Sequence, residues 1–233
     1  MKVAFHPEPL LDCQKLYYMG LDVTTPDKAD IVFHWNWTGT RWHPIAIYDK
    51  KVINRGTLIT EKTYIDEVFK KVYGYSSEAL GVWAVEKPDA TNGFKDARLV
   101  NTKQKKTGCF YQMPFIDCDR PESRITEHRI TIMDYKPVIS LLKLKTVTPQ
   151  NLIGRVDAYR WGAEYPEKIE EFCRAYPLEY GELDGIYHQD RFYIFDVNPT
   201  PGNAAFHNMP PEQSKEYMDK YKEKLNEWFS SIL

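Results

Sequence analysis

Residues 181–203 read GELDGIYHQDRFYIFDVNPTPGN and predict a β-hairpin with more oxygen-bearing side chains than a hairpin needs. If Gln189-Asp190-Arg191 forms the loop, Asp184 lies directly across from Asp196, and Asn198 shares their face because strand side chains alternate. Like charges opposite each other destabilise a strand pair, and a divalent cation between them would remove that cost. Two carboxylates and an amide oxygen suit Mg²⁺. The stretch therefore predicts a magnesium site, with a plain surface hairpin as the alternative.

A magnesium ion held by so few protein groups usually completes its coordination with water and nucleotide phosphates. The hairpin therefore also predicts ATP. The chain contains neither G-x-x-x-x-G-K-[ST] nor G-x-G-x-x-G, which excludes a P-loop, a dinucleotide fingerprint and a kinase glycine loop. If ATP binds, lysines on separate strands and helices must hold its phosphates.

Two lysines upstream of the hairpin occupy positions that are otherwise apolar. TEKTYIDEVFKKVYG (60–74) predicts a helix ended by its glycine, with Lys62 at the edge of the apolar stripe. GVWAVEKP (81–88) predicts a strand on which Lys87 closes an apolar face. A buried stem with a solvated ammonium group is the alternative explanation for Lys62.

A second hairpin is predicted at EHRITIMDYKPVISLLKLK (127–145), around the three-residue loop 134–136. With that loop, the odd-numbered side chains share one face, which carries Arg129, Thr131, Lys143 and Lys145. Three cations on one face form a candidate anion site. A solvent-facing basic surface is the alternative.

The bulk properties are those of a folded soluble protein. The 233 residues are 42% hydrophobic and 27% charged, and the net charge of −2 gives no general grip on nucleic acid. No apolar run is long enough for a transmembrane helix, and MKVAFHPEPL lacks the apolar region of a secretory signal. The four cysteines have no paired C-x-x-C spacing, so we expect reduced thiols, no structural zinc and a cytoplasmic location.

The remaining segments alternate between strand and helix patterns. KVAFHP (2–7), PLLDCQKLYYMG (9–20), ADIVFHWNWT (29–38) and KVINR (51–55) predict a small lobe in the order strand, helix, strand, strand. Its second strand ends with His34, Trp35, Trp37 and Thr38. These side chains could either line an acceptor pocket or pack in the core. Later segments predict a helix at 166–176 and a closing helix at 210–233. The closing helix is expected to bury Tyr217, Tyr221, Leu225, Trp228 and Phe229.

Five segments, taken in order, resemble the ATP-grasp superfamily in its glutathione-synthetase-like branch. VINRGTLITEKTYIDEVF resembles the segment of the first ATP lysine, and WAVEKPDATNGFKD resembles the second lysine strand with its phosphate-covering loop. YQMPFID is similar to the adenine hinge, and EHRITIMDYKPV is similar to the arginine-bearing strand. The hairpin quoted above resembles the metal-binding hairpin. Together the matches span about residues 52–203.

The resemblance implies an α+β chain with the ATP-grasp fold. Two α+β subdomains, 56–116 and 117–233, would clamp ATP, and a short α/β lobe, 1–55, would precede them. It also implies an ADP-forming ligase, in which a carboxylate takes the γ-phosphate of ATP and the acyl phosphate then reacts with an amine or a similar nucleophile. The partners would be small-molecule or peptide carboxylates and amines, with no nucleic acid and no membrane.

Roles follow from the matched positions. The nucleotide would contact Lys62, Lys87, Asn92, Gly93, Gln112, Met113, Phe115 and Asp117. One or two Mg²⁺ ions, or Mn²⁺, would lie on Asp184, Asp196 and Asn198. The transferred phosphoryl group would be stabilised by Arg129, Lys143 and Arg155.

The chain departs from the family pattern in several places. Asp196 stands where many members have Glu, the hinge has no acidic residue near Met113, and the loop after Lys87 has only Gly93. Asp117 or Asp119 is therefore the candidate for the ribose contact. In the family the amino-terminal lobe usually takes part in substrate selection, and here that lobe has only about 55 residues. A small-molecule kinase, a non-catalytic nucleotide-binding module and a generic α/β protein are the alternatives to a ligase.

Overall fold

The computed structural model describes residues 1–6, 20–34, 49–55, 61–78, 82–88, 97–117, 120–201 and 209–232. The predictions for the helix at 9–20, for Trp35, Trp37 and Thr38, and for Asn92, Gly93 and Asp119 lie outside these ranges. Within them, no helix is both long enough and apolar enough to cross a membrane.

The first sheet contains four parallel strands. These are β1 (Lys2–His6), β2 (Asp22–Val23), β3 (Ile31–His34) and β4 (Lys51–Ile53), in the order β2-β1-β3-β4. All of β3 is buried, as expected for a parallel strand covered on both faces. Three of these strands, β1, β3 and β4, lie within the strands predicted at 2–7, 29–38 and 51–55.

A small antiparallel sheet follows. Its strands are β5 (Trp83–Pro88), β6 (Arg98–Asn101) and β7 (Cys109–Gln112), in the order β6-β5-β7, with a 3₁₀ turn at Thr102–Gln104. Helix α1 (Lys62–Tyr73) precedes it and ends at Gly74, whose φ of 79° suits a residue without Cβ. The apolar side of α1 packs into a core shared with later strands and helices of the chain.

The third sheet is antiparallel and has five strands. They are β8 (Ser123–Met133), β9 (Lys136–Thr148), β10 (Asn151–Trp161), β11 (Tyr180–His188) and β12 (Arg191–Asn198), in the order β10-β9-β8-β11-β12. Helix α2 (Ile169–Ala175) lies between β10 and β11, and α3 (Pro211–Ile232) closes the described chain. All five residues predicted to face inward from α3 are buried.

Two large cores hold these layers together. One joins the parallel sheet, α3 and one end of the five-stranded sheet, and it includes Phe33, Tyr180 and Trp228. The other joins α1 and α2 to β8, β11 and β12. The five-stranded sheet contributes to both cores, so it is the scaffold on which the candidate site is built.

Candidate active site

The two predicted hairpins of the third sheet, β8–β9 and β11–β12, have shorter turns than the sequence predicts. Both turns have two residues instead of three, Asp134-Tyr135 and Gln189-Asp190, and all four residues have positive φ. The predicted three-residue loops are therefore wrong. Positive φ at both central residues is the backbone that matches the right-handed twist of the flanking strands.

A β-bulge in each hairpin nevertheless restores the predicted register. The pairing shifts by one residue between Thr131 and Ile132, and again between Asp184 and Gly185. Each bulge adds the residue that the shorter turn removes. Asp184 therefore lies directly opposite Asp196, as predicted.

Asp184 is held by two cations from the neighbouring strands. The guanidinium of Arg129 donates from Nε at 2.8 Å and from Nη2 at 2.7 Å to the two carboxylate oxygens, and Lys143 Nζ lies 3.3 Å from Oδ1. Burial alone would raise the pKa of Asp184, but Arg129 and Lys143 outweigh it and hold that pKa well below its usual range. Asp184 is therefore a fixed negative charge.

Glu127 is a functional candidate that the sequence reasoning missed. It is 4% exposed, its Oε1 accepts a hydrogen bond from Lys143, and its Oε2 accepts one from Lys145 at 2.8 Å. Glu127 precedes Arg129 by two residues and therefore shares its face. The alternation that grouped the cations could have included this odd-numbered glutamate. Because Lys143 and Lys145 are buried and bonded to Glu127, the alternative of a solvent-facing basic surface is excluded.

Two lysines approach this face from other elements. Lys62, at the start of α1, donates to Asp196 Oδ1 and is 3% exposed, so its ammonium group is not solvated. Lys87 on β5 donates to Gln112 Oε1 at 2.6 Å and lies 5.5 Å from the ring centre of Phe195. Burial, reinforced by the charge of Lys62, lowers the pKa of Lys87 to about 7.

The ionised side chains on this face form one group, which we call the charged cluster. It consists of Glu127, Asp184, Asp196, Lys62, Arg129, Lys143 and Lys145.

The charged cluster changes the reasoning about the facing aspartates. The sequence suggests that a metal ion must separate Asp184 from Asp196. In the structure Arg129 and Lys143 neutralise one, and Lys62 neutralises the other. A metal ion is therefore not needed to keep this strand pair together.

The oxygen donors nevertheless fit Mg²⁺. Among the described residues, Oδ2 of Asp196 has no hydrogen-bond partner, and Asn198 lies on the same face with Oδ1 accepting from the Thr200 N–H at 3.0 Å. Carboxylate and amide oxygens are the ligands that Mg²⁺ prefers. In the described ranges, no group of three or more His, Cys, Asp or Glu could hold a metal by itself. Such a site would thus depend on Asn198 and on oxygens from a ligand.

A cavity lies between the small sheet and the five-stranded sheet. Three predicted hinge residues line it, Gln112, Met113 and Phe115, and two members of the charged cluster do too, Glu127 and Lys145. Gln112 is 1% exposed, and its Nε2 has no partner among the described residues. The cavity has a volume of about 40 Å³, whereas an apolar cavity known to bind benzene has about 150 Å³. A purine can therefore enter only if the sheets part.

Several predicted site residues lie elsewhere. Arg155 is on β10 with its side chain 80% exposed, and it pairs with Asp157 at 2.8 Å. Asp117 is exposed and pairs with Arg120 at 2.9 Å. His34 is buried, with Nδ1 3.1 Å from the carbonyl oxygen of Asn54. The structure does not bring these three side chains into the charged cluster.

Comparison with solved structures identifies the fold. D-alanine–D-alanine ligase from Bacillus anthracis matches with and without ATP, at 11% and 12% identity, over 100% of this chain and 97% of the ligase, with a TM-score of 0.55 in both cases. The ATP-grasp ligase PsnB with a phosphomimetic minimal precursor, Mg and ADP matches at 9% identity, over 94% and 97% of the two chains, with a TM-score of 0.54. PsnB with its minimal precursor matches at 10% identity over 74% of this chain and 65% of PsnB, with a TM-score of 0.48.

No family model matches the sequence, and no curated protein matches it either. The structural likeness is therefore the finding that bears on the family resemblance. The chain has the ATP-grasp fold, as the resemblance predicted.

Proposed function

We propose that this chain is an ATP- and Mg²⁺-dependent, ADP-forming carboxylate–amine ligase. The charged cluster supports this function, because it gathers buried lysines, an arginine and carboxylates beside a cavity between two sheets. Such an arrangement suits a triphosphate, whose charge must be neutralised while its γ-phosphoryl group is transferred. The ATP-grasp fold agrees with this use of the site.

The nucleotide would bind between the small sheet and the five-stranded sheet. Gln112, Met113 and Phe115 would contact the base, while Lys62 and Lys87 would neutralise phosphates. A triphosphate beside Lys87 would favour its charged form, which burial disfavours in the ligand-free protein. Asp117 remains the proposed ribose contact, and Asn92 and Gly93 the proposed cover over the phosphates.

Asp184, Asp196 and Asn198 would hold one or two Mg²⁺ ions. When bound, Mg²⁺ would neutralise charge on the β- and γ-phosphates. Lys62 would then exchange Asp196 for a phosphate oxygen, and Arg129 would keep Asp184 oriented through its two hydrogen bonds. We further propose residues 1–55, 56–116 and 117–233 as the lobes that carry these parts.

The reaction would proceed in two transfers. A carboxylate oxygen of the substrate attacks the γ-phosphorus, the bond to the bridging oxygen breaks, and ADP leaves with that electron pair. An amine nitrogen then attacks the acyl carbon, the bond to the phosphate oxygen breaks, and inorganic phosphate leaves while the amine loses a proton to solvent. Arg129 and Lys143 would stabilise the charge on the transferred group. Small-molecule and peptide carboxylates are the proposed substrates.

The direct test is to incubate the protein with Mg-ATP, pooled carboxylates, and hydroxylamine in place of the amine. Hydroxylamine traps an acyl phosphate as a hydroxamate, so we expect ADP and hydroxamate in equal amounts. AMP as the nucleotide product would contradict the mechanism. ADP formed together with a stable phosphate ester would identify the small-molecule kinase instead.

A pair of matched variants tests the metal site. Asp196→Ala removes a proposed ligand and should abolish ADP release while the far-ultraviolet circular dichroism stays unchanged. Asp190→Ala removes an exposed carboxylate at the far end of the same hairpin and should keep full activity. ADP release by Asp196→Ala at the wild-type rate would refute the assignment.

A further inference from the structure

A second cavity, which we call the side cavity, opens on the same face of the five-stranded sheet as the charged cluster. It has a volume of about 240 Å³ and lies between β9, β10 and the segment that starts α3. Among the described residues, its lining includes Leu141, Tyr159, Arg160, Trp161, Met209 and Gln213. Leu141, Tyr159 and Met209 are each less than 10% exposed, so apolar surface forms most of the wall. The roles proposed above do not use this cavity.

The strand register joins the side cavity to the charged cluster. Leu141 pairs with Arg129 on one side and with Trp161 on the other. Tyr159 pairs with Lys143. Neighbouring strands are about 4.8 Å apart, so the cavity begins one strand away from Arg129.

This register also brings Tyr159 close to the cations of the charged cluster. Burial raises the pKa of the Tyr159 hydroxyl, while the charges of Lys143 and Arg129 act to lower it. The ring of Tyr159 therefore lies within electrostatic reach of both cations while it also forms part of the cavity wall.

The aromatic wall is fixed in place rather than adaptable. Trp161 stacks on Tyr217 with ring centres 6.0 Å apart, and Lys220 Nζ lies 4.9 Å from the Trp161 ring centre. The Tyr217 hydroxyl lies 3.3 Å from Thr131 Oγ1 and 3.3 Å from Glu182 Oε1. A wall held by stacking and by buried hydrogen bonds loses little freedom when a ligand binds against it.

We propose that the side cavity binds an apolar side group of aromatic size on the carboxylate substrate, whose carboxylate lies at Arg129. This proposal rests on the ligase function proposed above. A cavity of about 150 Å³ with apolar walls admits benzene, so a volume of about 240 Å³ admits a benzyl or indole group. Small polar carboxylates would leave this apolar surface in contact with water, and we expect them to bind more weakly.

The test compares two carboxylates that differ by one phenyl group, 3-phenylpropanoate and propanoate. Binding of each is measured by calorimetry to the whole protein saturated with Mg²⁺ and a non-hydrolysable ATP analogue. We expect 3-phenylpropanoate to bind at least tenfold more tightly. Equal affinity for the two would overturn the proposal. Because this readout is an equilibrium, it does not require the ligase reaction to occur.

Two tryptophan substitutions on α3 locate the binding site. Gln213→Trp fills the side cavity from its half-exposed rim and should weaken 3-phenylpropanoate binding at least tenfold. Lys215→Trp adds the same ring at an exposed position of the same helix and should leave that affinity unchanged. Unchanged 3-phenylpropanoate affinity in Gln213→Trp would overturn the proposal.

Measuring ADP and hydroxamate formation distinguishes a failure of the proposed ligase function from a failure of the proposed substrate pocket. Tight binding of 3-phenylpropanoate without any ADP release would contradict the ligase function and leave the cavity assignment supported. Equal turnover of propanoate and 3-phenylpropanoate with equal affinity would support the ligase and refute the side cavity as its substrate pocket.

Discussion

Lys87 shows how a single buried residue makes stability depend on pH. It is 1% exposed, and burial together with the nearby charge of Lys62 lowers its pKa from 10.5 to about 7. Between these two values the unfolded chain binds more protons than the folded one. The free energy of unfolding therefore rises with pH across this window. Below the window both states are protonated, and the full cost of burying the charge is present.

Replacing Lys87 by methionine should therefore stabilise the ligand-free protein in a pH-dependent way. We expect Lys87→Met to raise the free energy of unfolding by roughly 4 kcal/mol near pH 6 and to lose most of that gain near pH 10. Urea denaturation at the two pH values measures the difference. Lys71→Met, at an exposed position of α1, serves as the control. A pH-independent change in Lys87→Met would contradict the buried charge.

For individual residues, the sequence predicted which face of a strand a side chain lies on better than it predicted which side chains pair with each other. Period-two alternation correctly placed Arg129, Lys143 and Lys145 on one face of their hairpin and Asp184 opposite Asp196 on the other hairpin, because the side-chain direction of a strand depends only on register. It did not reveal that Glu127 binds two of the cations or that Asp196 pairs with Lys62. The Lys62–Asp196 contact joins elements far apart in the chain, about which local periodicity carries no information, whereas Glu127 lies on the predicted face and directly opposite Lys143, so the alternation could have included it.

The turns of the β8–β9 and β11–β12 hairpins were also predicted only in part from the sequence. Neither Asp134-Tyr135 nor Gln189-Asp190 has the Asn-Gly or Asp-Gly sequence typical of a two-residue turn with positive φ. A three-residue loop was therefore the natural prediction. The pairing near the site was still correct, because the opposing side chains require that register and the bulge supplies the missing residue.

A substitution in the β11–β12 turn tests this account. Gln189 and Asp190 have φ values of 49° and 60°, which most residues adopt at a cost. Gln189→Asn with Asp190→Gly should stabilise the protein by about 1 kcal/mol and leave ADP release unchanged, as measured by urea denaturation and turnover. The turn between β9 and β10 is Pro149-Gln150, where φ is not positive, and Asn-Gly in their place should give no gain. A similar gain at both turns would refute the explanation.

Three strands were missed for reasons visible in their residues. β2 has only two residues and β6 only four, which is too short to show an alternating pattern. β10 lies at the edge of its sheet, and its pairing shifts twice, once on either side of Arg155-Val156. Gly154 has a φ of 70° just before this point. Bulges of this kind interrupt the alternation on which strand prediction depends.

At the scale of the whole molecule, Asn54 connects the parallel sheet to the five-stranded sheet. Its Nδ2 donates to the Tyr180 carbonyl at 2.8 Å, and its Oδ1 accepts the N–H groups of Glu179 and Tyr180 at 3.0 Å each. Asn54 is 2% exposed, and its φ of 57° is one that asparagine tolerates. Because the two sheets also share a core that includes Phe33 and Tyr180, we expect them to unfold together.

Asn54→Ala tests that cooperativity. It leaves two N–H groups and one carbonyl at the start of β11 without their side-chain partner, so we expect a loss of about 3 kcal/mol in the free energy of unfolding. Hydrogen exchange should show amides of β1 and β11 losing protection by the same factor, because one opening exposes both sheets. Asn226→Ala, at an exposed position of α3, should change stability by no more than about 0.5 kcal/mol. If β11 lost protection in Asn54→Ala while β1 kept it, the amino-terminal sheet would be an independent unit. Asn54 would then join two separately stable parts of the molecule.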